Sequence, residues 1–251
     1  MNKKEILRHS DHALTGTTVT WNQFKTAEEE AAEMGKREIL RHIDHTLLAT
    51  TSTWEQIKNL VEEAAKYDMA TACIPPCYVY KAHWYNPQVR ICTVIGFPNG
   101  YNNTSVKVTE ARQALKDGAA EIDMVINVAA LKSGDVYTVR DEIKQIRQVC
   151  DEVTPHAVLK VIVETCLLSD SEKRLMCNIC AETGADFIKT STGFAEGGAD
   201  RHSVCVMANE IRSNHLRLKI KAAGGIRSLE EAEWYIEHGC ERIGTSSALK
   251  M

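Results

Sequence analysis

A closed (β/α)8 barrel in the α/β class is the fold this sequence predicts, on three observations. From residue 37 onward, short apolar or β-branched runs alternate with amphipathic helical stretches; there are eight such runs, and no low-complexity linker separates them. Eight parallel strands with intervening helices close a TIM barrel, whose chemistry gathers at the carboxyl ends of the strands. With 251 residues, 44% of them hydrophobic, the chain can fill one such core as a single domain.

The elements begin with a repeat. Residues 4 to 35 align without a gap on residues 37 to 68, and 18 of 32 positions are identical. In the second copy Ile57, Leu60, Val61, Ala64 and Ala65 form an apolar stripe at helical spacing. In the first copy Leu60 and Val61 are matched by Ala27 and Glu28, and Ile43 by Ser10. The domain plan is therefore residues 1–36 as an N-terminal extension, a degenerate βα-like duplicate of 37–68, and residues 37–251 as the barrel. One role for the extension is that its Trp21 to Met34 helix fills the outer position between the last and first strands.

The eight runs are Ile43 to Leu47, Ala70 to Ile74, Ile91 to Phe97, Ile122 to Asn127, Val158 to Glu164, Phe187 to Thr192, Leu218 to Ala223 and Arg242 to Thr245. Helical patterns lie between them at Val106 to Lys116, Tyr137 to Asp151, Ser171 to Glu182, His202 to Ser213 and Leu229 to His238. Gly118, Gly184 and Gly239 follow three of these, as helix C-caps require.

Composition narrows the function. The 30 basic and 34 acidic residues are mixed along the chain, for a formal charge of -4, so no basic field is available for a nucleic acid backbone. The N-terminus has no apolar signal core, and no stretch is apolar enough to span a bilayer, so a cytoplasmic protein without a membrane partner is expected. Nine cysteines is an odd number, and free buried thiols in a reducing compartment account for them.

Three charged residues sit inside strand runs where a purely structural barrel places apolar ones: Asp123, Lys189 and Lys221. An unpaired charge in a barrel lumen costs several kcal/mol unless partnered or neutralised. Lys189 and Lys221 lie on consecutive runs, so their side chains can face each other. Two positive charges about 5 Å apart at an effective dielectric of about 20 repel by roughly 3 kcal/mol. Desolvation acts in the same direction, so the expectation is a lysine of lowered pKa, able to attack a carbonyl and form a Schiff base. Asp123 is the buried carboxylate available to move protons. The bland reading of each lysine is a strand-end residue that reaches solvent or pairs with a carboxylate. Lys160 and Lys219 fit that reading better, although Lys160 can share a charge network with Asp123 and Glu164. Glycine-rich turns at 192 to 200 and 222 to 228, with GTSS at 244 to 247, follow late strands. Gly193, Gly224, Gly225, Ser246 and Ser247 are candidates to cradle a phosphate.

Taken together, IDHT, VIGFPNGY, EIDMVIN, LKVIVET, GADFIKTSTGF, IKAAGGIR and IGTSS, in this order across residues 37 to 247, resemble the deoxyribose-phosphate aldolases. The resemblance implies reversible cleavage of 2-deoxyribose 5-phosphate to glyceraldehyde 3-phosphate and acetaldehyde, with no metal or organic cofactor. It implies Lys189 as the Schiff-base lysine, Lys221 as the lysine that perturbs it, and Asp123 as the proton relay. Asp44 and Thr46 would face substrate hydroxyls, and the paired glycines and serines would hold the phosphate. The expected partners are a sugar phosphate and an aldehyde, and a homodimer is compatible with the sequence.

The chain departs from the family pattern at Ala195 and Glu196, where small hydroxyl residues are usual, and it stops at Met251, four residues after Ser247. No metal site is expected from His42, Asp44 and His45, or from their echoes His9, Asp11 and His12, because strand alternation turns Asp44 and His45 to opposite faces. Cys177 and Cys180 read as helix packing, and Cys73 as a lumen thiol without a catalytic role. Two rivals remain open at this point: a Schiff-base lyase for a longer sugar phosphate, and a catalytically silent barrel that binds a phosphorylated ligand.

Overall fold

The structure, a computed structural model, describes residues 35–251, so the extension assigned to residues 1–36 lies almost wholly outside the described residues. Eight strands follow in chain order: β1 (Ile43–Thr46), β2 (Thr71–Ile74), β3 (Ile91–Ile95), β4 (Glu121–Val125), β5 (Val158–Ile162), β6 (Phe187–Lys189), β7 (Lys219–Ala223) and β8 (Cys240–Thr245). They pair in parallel in sequential order, and β1 closes on β8. The fold class is therefore the (β/α)8 barrel. Every strand residue of β2, β3 and β4 is buried, as expected when helices cover one face of a parallel strand and the lumen the other.

Between the strands run α1 (Trp54–Lys66), α2 (Val79–Tyr85), α3 (Thr104–Lys116), α4 (Val128–Lys132), α5 (Val136–Asp151), α6 (Asp170–Glu182), α7 (Arg201–Ser213) and α8 (Leu229–Glu237). Local chemistry sets their starts. Thr53 with Gln56 and Ser169 with Glu172 form capping boxes, while the side chains of Asp200 and Ser228 accept the amides of Ser203 and Glu231. Gly118, Gly184 and Gly239 adopt the positive φ that ends a helix. In α1 the predicted stripe buries Ile57, Leu60, Val61 and Ala64, but Ala65 is exposed at its edge. The short helices α2 and α4 have too few turns to show a period in the sequence. Among the described residues, no helix is long and apolar enough to cross a membrane.

Register decides what faces the lumen. Asp123 pairs across from Lys160, and Lys189 from Lys221. Between β7 and β8 the register shifts after Ile220, which pairs with Cys240, so Lys221 lies opposite Arg242 rather than Glu241. Glu241 is left on the outside, where it meets Lys219 at 2.9 Å.

Candidate active site

Seven charged side chains from six strands meet inside the barrel. Asp123 is at the centre: its Oδ2 accepts from Lys189 Nζ at 2.8 Å and Lys221 Nζ at 2.6 Å, and its Oδ1 accepts from Lys160 Nζ at 2.8 Å. Both lysine nitrogens on Oδ2 are thus no more than about 5.4 Å apart, the sum of 2.6 and 2.8 Å. Lys221 also meets Asp44 Oδ2 at 2.5 Å, a charge contact rather than an aligned hydrogen bond. Lys160 reaches Glu121 Oε2 at 2.6 Å, and Arg242 bridges Asp44 Oδ1 (2.6 Å) and Glu121 Oε2 (2.9 Å). Cys92 fills the remaining space, donating to Asp123 Oδ1 at 3.2 Å.

The electrostatics follow from this packing. Burial opposes the charged form of Asp123, but Lys160, Lys189 and Lys221 override it and hold its pKa well below the usual carboxylate range. Asp44 is likewise lowered, with burial outweighed by Lys221, Lys160 and Arg242. Burial also disfavours the ammonium of Lys221, yet Asp123 and Asp44 outweigh it and hold that lysine above its ordinary value. Lys160 is raised in the same way by Asp123, Cys92, Glu121 and Asp44.

This corrects two expectations. Mutual repulsion does not lower Lys221, because two carboxylates sit on its nitrogen. Glu164 does not join the Lys160 network: its carboxylate accepts from Thr192 instead, at 2.5 Å from Oγ1. A third adjustment concerns the first strand. Asp44 is fully buried, and its carboxylate is taken up by Lys221, Arg242 and the Thr71 hydroxyl (2.6 Å), so it stands in the ion network. Thr46 is half-buried and donates to the Asp44 carbonyl at 2.7 Å.

The phosphate candidates sit on three neighbouring turns. Gly193, Gly224 and Gly225 have φ of +82°, +88° and +80°. The turns after β6 and β7 touch: Ala199 N–H donates to the Gly224 carbonyl at 3.0 Å, and a Cβ on Gly198 would lie 2.3 Å from that oxygen. Pairing of Ala223 with Gly244 brings the turn after β8 alongside, with Ser246 exposed and Ser247 half-buried. Glu196 is exposed on the first of these turns. His45 points away from Asp44, to Glu63 at 2.7 Å, as alternation requires.

Glu121, Arg242 and Thr71 went unrecognised in the sequence. Thr71 and Glu121 stand at the first position of a strand and Arg242 at the start of its run as read, where a polar residue is ordinary. All nine cysteines are free, and six are buried; Cys77 and Cys166 are exposed, contrary to the expectation of buried thiols.

The sequence model of the DeoC/LacD family aldolases matches residues 39–241, four-fifths of the chain. The chain belongs to that family. A DeoC/LacD relative from Streptococcus pyogenes, a deoxyribose-phosphate aldolase, is 50% identical over 252 residues, covering 100% of this chain and 95% of its own. One of the same name from Clostridium botulinum is 46% identical over 250 residues, covering 99% of this chain and 95% of its own. Among solved structures, the tetrameric deoxyribose phosphate aldolase from Aeropyrum pernix superposes with a TM-score of 0.79 at 35% identity, over 86% of this chain and 89% of that one.

Proposed function

We propose that this chain is a class I deoxyribose-phosphate aldolase, a carbon–carbon lyase that cleaves 2-deoxy-D-ribose 5-phosphate reversibly through a Schiff base on Lys189. The observation that carries the choice of nucleophile is the distribution of partners. Lys160, Lys221 and Arg242 each touch two or more carboxylates, whereas among the described residues Lys189 touches Asp123 alone. Lys189 is also the one of these four at the carboxyl terminus of its strand, where barrel chemistry takes place. Its amine is therefore the one that can leave the network for a substrate at least cost.

The chemistry follows from the contacts. The Lys189 amine adds to the aldehyde carbon of the open-chain sugar, and the carbinolamine loses water to give an iminium ion. The iminium draws in the electron pair of the C2–C3 bond as the C3 hydroxyl gives up its proton, releasing glyceraldehyde 3-phosphate. The enamine left on Lys189 is then protonated and hydrolysed to acetaldehyde. Each step moves a proton, and Asp123 Oδ2, in contact with both Lys189 and Lys221, is a one-atom bridge between them. Lys221 is the fixed cation of the pair. Lys160, Arg242, Asp44 and Glu121 hold Asp123 and Lys221 in place. The glycines and serines on the turns after β6, β7 and β8 present backbone amides and hydroxyls suited to the phosphate.

The partners in this reading are small molecules, the location is the cytoplasm, and self-association as a homodimer is measured by sedimentation. Borohydride trapping with acetaldehyde, followed by peptide mass mapping, tests the mechanism. A reduced adduct on Lys189 that Lys189→Ala abolishes is the expected result. Absence of any adduct in the folded protein would favour a silent barrel that binds a phosphorylated ligand.

A further inference from the structure

Glu164 is a buried carboxylate that the reaction above does not use. It stands two residues past the end of β5, in the left-handed region at φ +54°, where a non-glycine side chain needs a compensating contact. Its side chain supplies one. Oε2 accepts from Thr192 Oγ1 at 2.5 Å, and both carboxylate oxygens lie 3.3 Å from the Thr192 amide nitrogen. Because the Thr192 hydroxyl gives its proton to Glu164, its oxygen is left to accept from Phe194 N–H, at 3.1 Å. The chain Phe194 to Thr192 to Glu164 thus sets the backbone on both sides of Gly193.

Two further contacts hold the same loop, and neither carries a charge. Thr165 N–H donates to the Thr190 carbonyl at 2.8 Å, and Gly197 lies so close to Cys166 that a Cβ there would come within 2.5 Å of the cysteine Cβ. On the far side the loop rests on Gly224. A carboxylate next to an anion-binding turn opposes the anion by Coulomb repulsion, so Glu164 stands there at a cost that some other effect offsets.

We propose that Glu164 is a positioning residue for phosphate selectivity: it locks Thr192 so that the amides around Gly193 are aligned for the phosphate group of the substrate. The inference rests on the aldolase reading above and on the turn after β6 being part of the phosphate site. It assigns Glu164 no contact with the reacting carbons.

The experiment compares cleavage of 2-deoxyribose 5-phosphate with that of unphosphorylated 2-deoxyribose in the full-length wild type, Glu164→Gln and Thr192→Val. Gln keeps the volume but loses the charge and one acceptor, and Val keeps the shape but loses the hydroxyl. The expected result is a fall of about tenfold in the ratio of kcat/KM for phosphorylated over unphosphorylated sugar in both variants, carried by KM, the size expected for one charge-assisted hydrogen bond. Equal falls on both sugars, which a merely structural role would give, would overturn the proposal, and so would an unchanged ratio. If Glu164→Gln does not fold, Thr192→Val alone decides by the same ratio. Failure of the aldolase reading itself looks different: the wild type would then cleave neither sugar.

Discussion

Replacing Lys160 by Met is the sharpest test of the lumen network, because it removes one charge and little volume from a fully buried position. The Lys160 nitrogen contacts Asp123 at 2.8 Å, Glu121 at 2.6 Å, Cys92 at 3.3 Å and Asp44 at 3.6 Å. Removing one partner of a buried ion pair typically costs about 3–5 kcal/mol, since the other charge stays buried and uncompensated. Here the lower end applies, about 3 kcal/mol, because Glu121 keeps Arg242 and Arg90 while Asp123 keeps Lys189 and Lys221. For a barrel of this size that corresponds to a fall of roughly 6–12 °C in Tm. The assay is urea unfolding at pH 7 with a thermal melt alongside, on Lys160→Met and on the double variant with Glu121→Gln. The double variant is expected to lose less than the sum of the Lys160→Met and Glu121→Gln changes made singly, since the two side chains are partners at 2.6 Å. A loss below about 1 kcal/mol in the single variant would refute the claim that these contacts are coupled and dry.

Further outcomes follow from the same geometry. The folded pKa of Asp44 lies below its ordinary 3.8, so its contribution to stability is complete above about pH 4 and is lost as pH falls toward the depressed value. The stability difference between wild type and Asp44→Asn should therefore be flat from pH 5 to 9 and shrink only below about pH 4; shrinkage between pH 7 and 5 would contradict it. Gly224 has φ +88°, and a Cβ there would lie 3.1 Å from the Gly198 Cα, so Gly224→Ala should raise KM for the phosphorylated sugar, read in initial-rate assays, and lower stability by about 1–2 kcal/mol. Glu196 is exposed on the turn after β6, so Glu196→Gln should lower KM for the phosphorylated sugar at low ionic strength, and the difference should fade in about 0.5 M salt.

Much of this molecule was legible because periodicity and punctuation agree. All eight strand runs correspond to strands, and the helix starts at Asp170, Arg201 and Leu229 fall within one residue of the expected ones. The strand runs overshoot at their carboxyl ends: Ile91 to Phe97 stops at Ile95, Val158 to Glu164 at Ile162, and Phe187 to Thr192 at Lys189. Among those extra residues Phe97, Val163, Thr190 and Thr192 are apolar or β-branched yet lie past the ends of the strands, because the barrel mouth is built from them. The Thr190 and Thr192 hydroxyls bond to the Ala223 carbonyl and to Glu164. Composition can mark such residues as strand-like, but only tertiary contacts decide where pairing stops. The same limit hid Arg242: its partners Asp44 and Glu121 are 198 and 121 residues away, and a register shift places it.

That placement bears on why the lumen is charged at all. A layer of well-packed apolar side chains would fill the same space, and such replacements of buried ion pairs are often neutral or stabilising. Stability alone therefore does not explain three carboxylates and four cations in a dry core. What the charges supply is position. Arg242 on β8 ties β1 to β4 across the lumen through Asp44 and Glu121, and Asp44 and Asp123 then hold Lys221 from two sides. Only when β8 has closed on β1 are these contacts satisfied together. Barrel closure and assembly of the reactive centre are thus the same event, and a chain that has not closed leaves Asp44 without the arginine that fixes it. An amine poised against Asp123 alone, as Lys189 is, can exist in such a core because its neighbours are each held from at least two directions.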